Sequence, residues 1–411
     1  MIIGDWSVIP PAMWENETDD DDPKVPSDFV YMTLDTSSPW DGKKYNISKS
    51  TRVGRIPASV EHSFEEAISY LNHEMDFKPA DIIKGFAYSA YVWLQTSCNV
   101  FKNIATDLNI SPKFVCRPQA NYPNGTILSK LKGYNVLGIN LHGSLREHFW
   151  YGQYERLFPE AFMASLLPSE KDEGYLVCVE ACYGARPTIN DANKDSILVN
   201  AMKNNCMGFV GSSMIAYGCA NGRMTCADII ANVFLSEVAA GRIIGDAFAK
   251  ALTKLTKDRD DETVIKTLAE FALYGDPSLI FYNTSKIEKV SFEIDEAKNA
   301  DIYDTGIKKK LIPFNEQVGF YGRRGESYVT VSFNEEANNN IKQVARVVNR
   351  VSKEYVSANY KEFSNTEPTM YKVYGYDEYR SVYSKEVEGI KETIRLHLDK
   401  NGNVIETYVS K

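Results

Sequence analysis

Two apolar runs end in reactive residues: Val136-Leu137-Gly138-Ile139-Asn140-Leu141 leads into His142-Gly143-Ser144, and Tyr175-Leu176-Val177-Cys178-Val179-Glu180-Ala181 leads into Cys182-Tyr183-Gly184. Short apolar runs bounded by glycine and polar residues read as buried strands of a parallel sheet. Open α/β sheets bind ligands beyond the carboxyl ends of their strands. A His and a Cys delivered to two such ends form a candidate base–nucleophile pair. A thiol attacks a carbonyl as thiolate, and a neighbouring imidazole can generate one. His142 would serve Cys182 as base and then the leaving amine as acid. The amides of Gly143 and Cys182 are the candidates for an oxyanion hole. Glu180-Ala181-Cys182-Tyr183-Gly184 follows His142 by 40 residues. Together the two strand-end residues are a stronger signal than a lone Cys on a strand or a lone His-Gly.

Around this pair the chain alternates helix and strand. The spacing predicts helices over 63–75, 100–108, 127–131, 191–207, 225–240, 246–255 and 261–271. Strands are expected over 82–93, 209–213 and 280–282. Thr225 is the expected N-cap of its helix and Gly241 the stop. Beyond about Asn283, tyrosine and charge become frequent and period-2 alternation sets in. Tyr328–Phe333 reads as a strand. Ile394–Leu398 and Val404–Val409 read as a hairpin around Asp399-Lys400-Asn401-Gly402. Residues 341–355 fit helix or strand equally. The predicted organisation is an α/β domain over 1–282 and a β-rich domain over 283–411.

At 411 residues the chain is long enough for two or three domains. Its 44% hydrophobic and 25% charged residues are those of a globular protein. The net charge of −9 argues against nucleic acid as partner. No apolar run is long enough to predict a membrane span. Seven cysteines without C-x₂-C spacing suit neither a disulfide framework nor zinc. Asp19-Asp20-Asp21-Asp22 is a candidate oxygen-ligand set for a structural calcium ion, the competing reading being a solvated loop. No organic cofactor is required. No signal peptide is visible, and Met1-Ile2-Ile3-Gly4-Asp5 reads as the end of a strand. That reading puts the chain start inside a domain, N-terminally truncated. Four Asn-x-Ser/Thr sequons, at Asn46, Asn109, Asn124 and Asn283, are ascribed to chance.

Residues 1–282 resemble the gingipain family, in the clan that also holds caspases, legumain and clostripain. The resemblance rests on the two catalytic motifs and on ordered landmarks: Gly4-Asp5 with Ile9-Pro10-Pro11, Ser27-Asp28-Phe29-Val30-Tyr31, Val53-Gly54-Arg55-Ile56 and Gly275-Asp276-Pro277-Ser278-Leu279. It implies a caspase-like, mostly parallel sheet flanked by helices, followed by a smaller β domain. It further implies a thiol endopeptidase acting on proteins or peptides, secreted or at a bacterial cell surface. The family's catalytic His falls on His142 and its nucleophile on Cys182. Glu180 makes the triplet before Tyr183-Gly184 closer to legumain than to gingipain. The family places an acid that assists the His, and one that reads a basic substrate side chain, after a strand aligned with Ile82–Ser89. Here Phe86–Ala105 holds no Asp or Glu, only Tyr88, Tyr91, Trp93 and other uncharged groups apart from Lys102. Glu180, Tyr88, Trp93 and Trp150 are the expected substrate contacts, the aromatics walling a pocket for an uncharged side chain. Residues 146–151 are expected to overhang the site as a lid, with His148 as a rival base. Arg186-Pro187 is a candidate self-cleavage bond. The competing reading is an inactive peptidase-like scaffold used for binding or surface attachment. A transpeptidase sharing the same thioester is the third.

Overall fold

The computed structural model describes residues 1–33, 51–58, 63–101, 131–153, 158, 160–168, 173–188, 195–219, 223–257, 261–283, 328–330, 339–373, 378–387 and 390–410. In chain order the strands are β1 (Ile2–Ile3), β2 (Ala12–Glu15), β3 (Lys24–Ser27), β4 (Arg55–Ile56), β5 (Gly85–Ser89), β6 (Val136–Asn140), β7 (Phe149–Tyr151), β8 (Glu160–Met163) and β9 (Tyr175–Val179). They continue as β10 (Cys206–Ser212), β11 (Tyr217–Gly218), β12 (Phe271–Gly275), β13 (Tyr328–Thr330), β14 (Thr369–Val373), β15 (Glu378–Val387), β16 (Ile390–Asp399) and β17 (Val404–Ser410). A seven-stranded sheet runs in the order β1-β4-β12-β10-β9-β6-β5. Only the β10–β12 pairing is antiparallel. The fold is the expected α/β class, with a large mostly parallel sheet flanked by helices and a β-rich C-terminal region.

The central strands are buried on both faces, which is why they read as unbroken apolar runs. Leu176, Cys178 and Val210 join the core formed by helices Cys226–Ala239, Ile244–Leu255 and Glu262–Glu270. Val177, Val179 and Phe209 join the opposite core, with residues of helices Ser63–Asp76 and Ile197–Lys203. Alternate residues of one strand thus serve opposite layers.

The scattered landmarks meet in space. The fully buried Arg55 guanidinium donates to both Asp28 carboxylate oxygens at 2.6 and 2.7 Å, and to the carbonyls of Gly4, Asp5 and Ile9. Beside it a Cβ on Gly54 would lie 2.2 Å from the Gly275 carbonyl oxygen, so the two backbones touch. Residues near 4, 28, 55 and 275 therefore form one junction at the β1–β4–β12 edge.

Several sequence expectations shift. The run 82–93 is a strand only over Gly85–Ser89; a 3₁₀ turn at Tyr91–Trp93 then leads into helix Leu94–Phe101. Ala90 N donates the last ladder bond, to the Asn140 carbonyl, and the chain then turns, Trp93 N donating back to the Ala90 carbonyl. Residues 102–108, 127–130, the acceptor asparagines at 46, 109 and 124, and residues 331–333 lie outside the described residues. Of the helix expected over 191–207, residues 191–194 lie outside the described residues; the described part is Ile197–Lys203, capped by Ser196 Oγ, which accepts from Val199 N. It ends before Asn205, which takes a left-handed φ of 68°. Residues 280–282 form only isolated bridges, at Ile280 and Tyr282. The helix at Thr225 runs over Cys226–Ala239, with Gly241 left-handed after it. Residues 341–355 prove helical, within Asn339–Asn359.

The second sheet has the order β11-β17-β16-β15-β14-β13. β11, from the first 282 residues, pairs antiparallel with β17 at the chain's end. One apolar cluster runs from Trp93 and Phe162 to Phe363 and Ile394, so the β-rich region shares its core with the α/β region. The hairpin joining β16 to β17 is longer than a two-residue Asn-Gly turn. Asp399 closes it, its carboxylate accepting from the backbone N–H groups of Asn401 and Asn403.

Arg55→Met removes the guanidinium from the buried Asp28 carboxylate and from the carbonyls of Gly4 and Ile9, while the Asp5 carbonyl keeps the N–H groups of Val8 and Ile9. A loss of about 3–5 kcal/mol is expected, measured by urea denaturation followed through tryptophan fluorescence.

Candidate active site

β6 and β9 are adjacent and parallel, with Ile139 paired to Val179. His142 and Cys182 each lie three positions beyond that pair, at the same carboxyl edge. Glu180 N donates to the Ile139 carbonyl at 2.7 Å and carries the ladder one step further. Gly143 then presses on the Cys182 peptide: a Cβ at Gly143 would sit 1.7 Å from the Cys182 carbonyl oxygen and 3.2 Å from its nitrogen. Only glycine fits there. The two strand ends, and the two amides nominated for an oxyanion hole, form one backbone junction.

The two side chains leave that junction in different directions. Cys182 packs with the core that holds Cys178 and Val210, and its Sγ donates to the Ala216 carbonyl at 3.8 Å. Burial, with Glu270 and Asp22 nearby, pushes the thiol well above its ordinary pKa. In this conformation Cys182 is a protonated thiol. The following turn is held from several sides. Tyr183 adopts a left-handed φ of 56°, its N–H donates to the Met214 carbonyl, and its hydroxyl donates to Asp22 Oδ1. Gly184 N closes the turn on the Ala181 carbonyl, and Ala185 N donates to the Ser212 carbonyl.

His142 is 1% exposed. Its ring lies 4.4 Å from Trp93 and 5.2 Å from Phe158, centroid to centroid. Its backbone is fixed by two hydrogen bonds with Tyr151, at 2.8 and 2.9 Å. Nε2 lies 2.8 Å from Gln153 Oε1 and 3.4 Å from Glu392 Oε1. With two oxygens facing it, Nε2 carries the proton, and Nδ1 carries the lone pair in the neutral ring. Glu392 Oε2 is 2.8 Å from Lys385 Nζ, which lies over the rings of Phe363 and Phe158.

The other nominated residues are core. Tyr88 and Trp150 both pack on Phe162, Trp93 is fully buried against the imidazole, and Glu180 is fully buried. The expected open aromatic pocket is, in this structure, filled by protein. Residues 149–151 are no overhanging lid: they form β7, paired with β8, with Trp150 and Tyr151 buried. The His148 ring packs against Phe149. Arg186 is half-buried over the Trp6 and Tyr183 rings and donates to Met214 Sδ.

The acidic run is solvated at Asp19 and Asp21 but buried at the Asp20 and Asp22 side chains. Lys266 Nζ lies 2.5 Å from Asp20 Oδ2 and 2.6 Å from Asp22 Oδ2, all three side chains buried. Asp22 Oδ2 also accepts from Ile215 N, and Asp20 Oδ2 from the Tyr217 hydroxyl. Among the described residues, no group of three or more His, Cys, Asp or Glu side chains is placed to hold a metal ion. The six described cysteines are unbridged. No helix among the described residues is long and apolar enough to cross a membrane. Sequence reading missed Gln153, Glu392, Lys385 and the Asp22–Lys266 pair. No local pattern marks Glu392, because its partner lies on a different sheet.

No protein-family model matches the chain, and no curated protein does. Among solved structures, one described as "Structure of Protease" is similar over 100% of this chain and 75% of its own, at 12% identity and a TM-score of 0.40. A likeness at that level carries no functional argument.

Glu270, fully buried beside Lys266, has its carboxyl pushed well above the ordinary range by burial, which outweighs the pull of Lys266. A raised carboxyl pKa means that folding takes up a proton. Stability from this group is present at acid pH and is lost as pH rises above the unfolded value of about 4.3. Glu270→Gln removes that dependence. Its melting temperature is expected to exceed wild type at pH 8, the gain shrinking towards pH 4, as read by scanning calorimetry.

Proposed function

We propose that the chain is a cysteine endopeptidase acting through His142 and Cys182. One observation carries the reading: β6 and β9 bring the two residues to the same sheet edge in matched register, with Gly143 packed on the Cys182 peptide. Short apolar strands and a Gly with no room for a side chain are what such a junction needs. The resemblance of residues 1–282 to gingipains is the second support, and it carries with it an extracellular or cell-surface location.

In this reading the Cys182 thiol turns from the Ala216 carbonyl towards the imidazole. Nδ1 takes the thiol proton, and the thiolate adds to the substrate carbonyl carbon. The amides of Gly143 and Cys182 receive the developing oxyanion. The imidazolium returns its proton to the leaving amine, the C–N bond breaks, and a thioester remains. Water attacks the thioester with the imidazole as base, releasing the acid and the thiol. Glu180, Tyr88, Trp93 and Trp150 support the site from the core in this account. Calcium at Asp19–Asp22 would need Lys266 displaced from Asp20 and Asp22. The inactive-scaffold reading is favoured by one observation, the buried Cys182 thiol engaged with the Ala216 carbonyl.

A peptide library separates the two. Wild-type chain, with and without calcium, should cleave it. Cys182→Ala and His142→Ala should each lower kcat/KM by about 10³-fold or more. Silence of the wild type on every peptide, with calcium and without, would favour the scaffold. Transfer of the acyl group to added amine, rather than to water, would make the enzyme a transpeptidase.

A further inference from the structure

The strand-end geometry leaves one element of a hydrolytic triad without a local source. A base that exchanges protons through one ring nitrogen needs an orienting group on the other, and a carboxylate there also stabilises the imidazolium. Residues 86–105, where the resemblance would put an acid, hold none. The acid present in the structure comes from the far end of the chain. Glu392 lies in β16, opposite Lys385 in β15. Its Oε1 is 3.4 Å from His142 Nε2, and both side chains are at most 3% exposed.

We propose that Glu392, carried by the C-terminal sheet, is the positioning carboxylate for His142. The proposal rests on the peptidase reading and assigns the β-rich region a place in the site. Four features support it. Gln153 Oε1 accepts from Nε2–H at 2.8 Å, which fixes the tautomer with Nδ1 as base. Trp93 and Phe158 hold the ring plane. Lys385, 2.8 Å from the second Glu392 oxygen, keeps the buried carboxylate from standing as an isolated charge. β11–β17 pairing and a shared apolar core bind the C-terminal sheet to the α/β region, so the carboxylate is held on a rigid scaffold. Charged groups facing the imidazole are thus Glu392 directly and Lys385 through it. Burial pushes the Glu392 carboxyl upwards and Lys385 pulls it back, the balance lying above the ordinary value.

The test uses the full chain with Glu392→Gln and Glu392→Asp. The first readout is the titration of the His142 ring nitrogens by NMR, assigned among the five histidines with His142→Gln. Glu392→Gln is expected to lower the His142 pKa, and Glu392→Asp to restore part of the shift. The second readout is kcat and KM against pH on a peptide taken from the library. Glu392→Gln should lower kcat about 10²-fold or more with KM little changed, with the pH profile displaced, and Glu392→Asp should recover activity. An unmoved His142 titration overturns the proposal. So does an activity loss that Asp fails to rescue and that leaves the pH profile in place, since that marks a structural role only. If the wild type cleaves nothing while Glu392→Gln still moves His142, the contact stands and the peptidase reading falls.

Discussion

The Lys266 ammonium, between Asp20 and Asp22, is the interaction on which the site's architecture hangs. The N-terminal acidic loop supplies the two carboxylates, and the helix Glu262–Glu270 supplies the ammonium. From Asp22, hydrogen bonds reach the Tyr183 hydroxyl and Ile215 N; from Asp20, one reaches the Tyr217 hydroxyl. These contacts grip the turn after Cys182, the segment whose Ala216 carbonyl receives the thiol, and β11, which pairs with the chain's last strand. Burying three charges is costly unless each is paired and hydrogen-bonded. Here each carboxylate has both, and Asp20 is held below the ordinary carboxylate range: burial pushes it up, but Lys266, Tyr217 and Thr18 outweigh that.

The same cluster explains the state of the thiol. Cys182 sits on the side of the sheet where this charge network lies, in a buried core with Glu270 and Asp22 close enough to oppose a thiolate. His142 sits on the other side, among Trp93, Phe158 and the C-terminal sheet. A resting thiol that is protonated and turned away is inert towards oxidation and alkylation. Reactivity would then depend on rotation about one side-chain bond, while the backbone junction at Gly143 stays as it is.

Legibility in the sequence follows how local each determinant is. β6 and β9 were readable because five-residue apolar runs ending in glycine and polar residues encode a two-sided buried strand within a short window. The helix Cys226–Ala239 was readable from Thr225 and Gly241, which act on adjacent peptide groups. The landmarks Gly4-Asp5, Asp28, Gly54-Arg55 and Gly275 could be ordered along the chain, but their common purpose emerges only in space, where Arg55 joins them. Tyr88, Trp93 and Trp150 read as pocket walls in the sequence because an aromatic's identity does not say whether it faces solvent or, as here, Phe162 and the His142 ring. The Asp19–Asp22 run suggested calcium or solvent, since a lysine 246 residues from Asp20 leaves no trace in the local pattern.

The division of the chain near residue 283 has the same origin. Composition changes there, and a change in composition reads as a boundary. Yet β11 completes the second sheet, Arg395 of β16 stands over the Tyr217 ring, and Arg380 and Arg395 both engage Glu262. Arg380 and Arg395 are themselves buried, and Glu262 across this seam carries an ion pair to each. Separating the sheet from the helix Glu262–Glu270 would break both ion pairs. The seam brings Glu392 to His142 by the same docking. The C-terminal region is therefore bound to the α/β sheet by apolar core, by strand pairing and by charge together, and a carboxylate mounted on it inherits that rigidity.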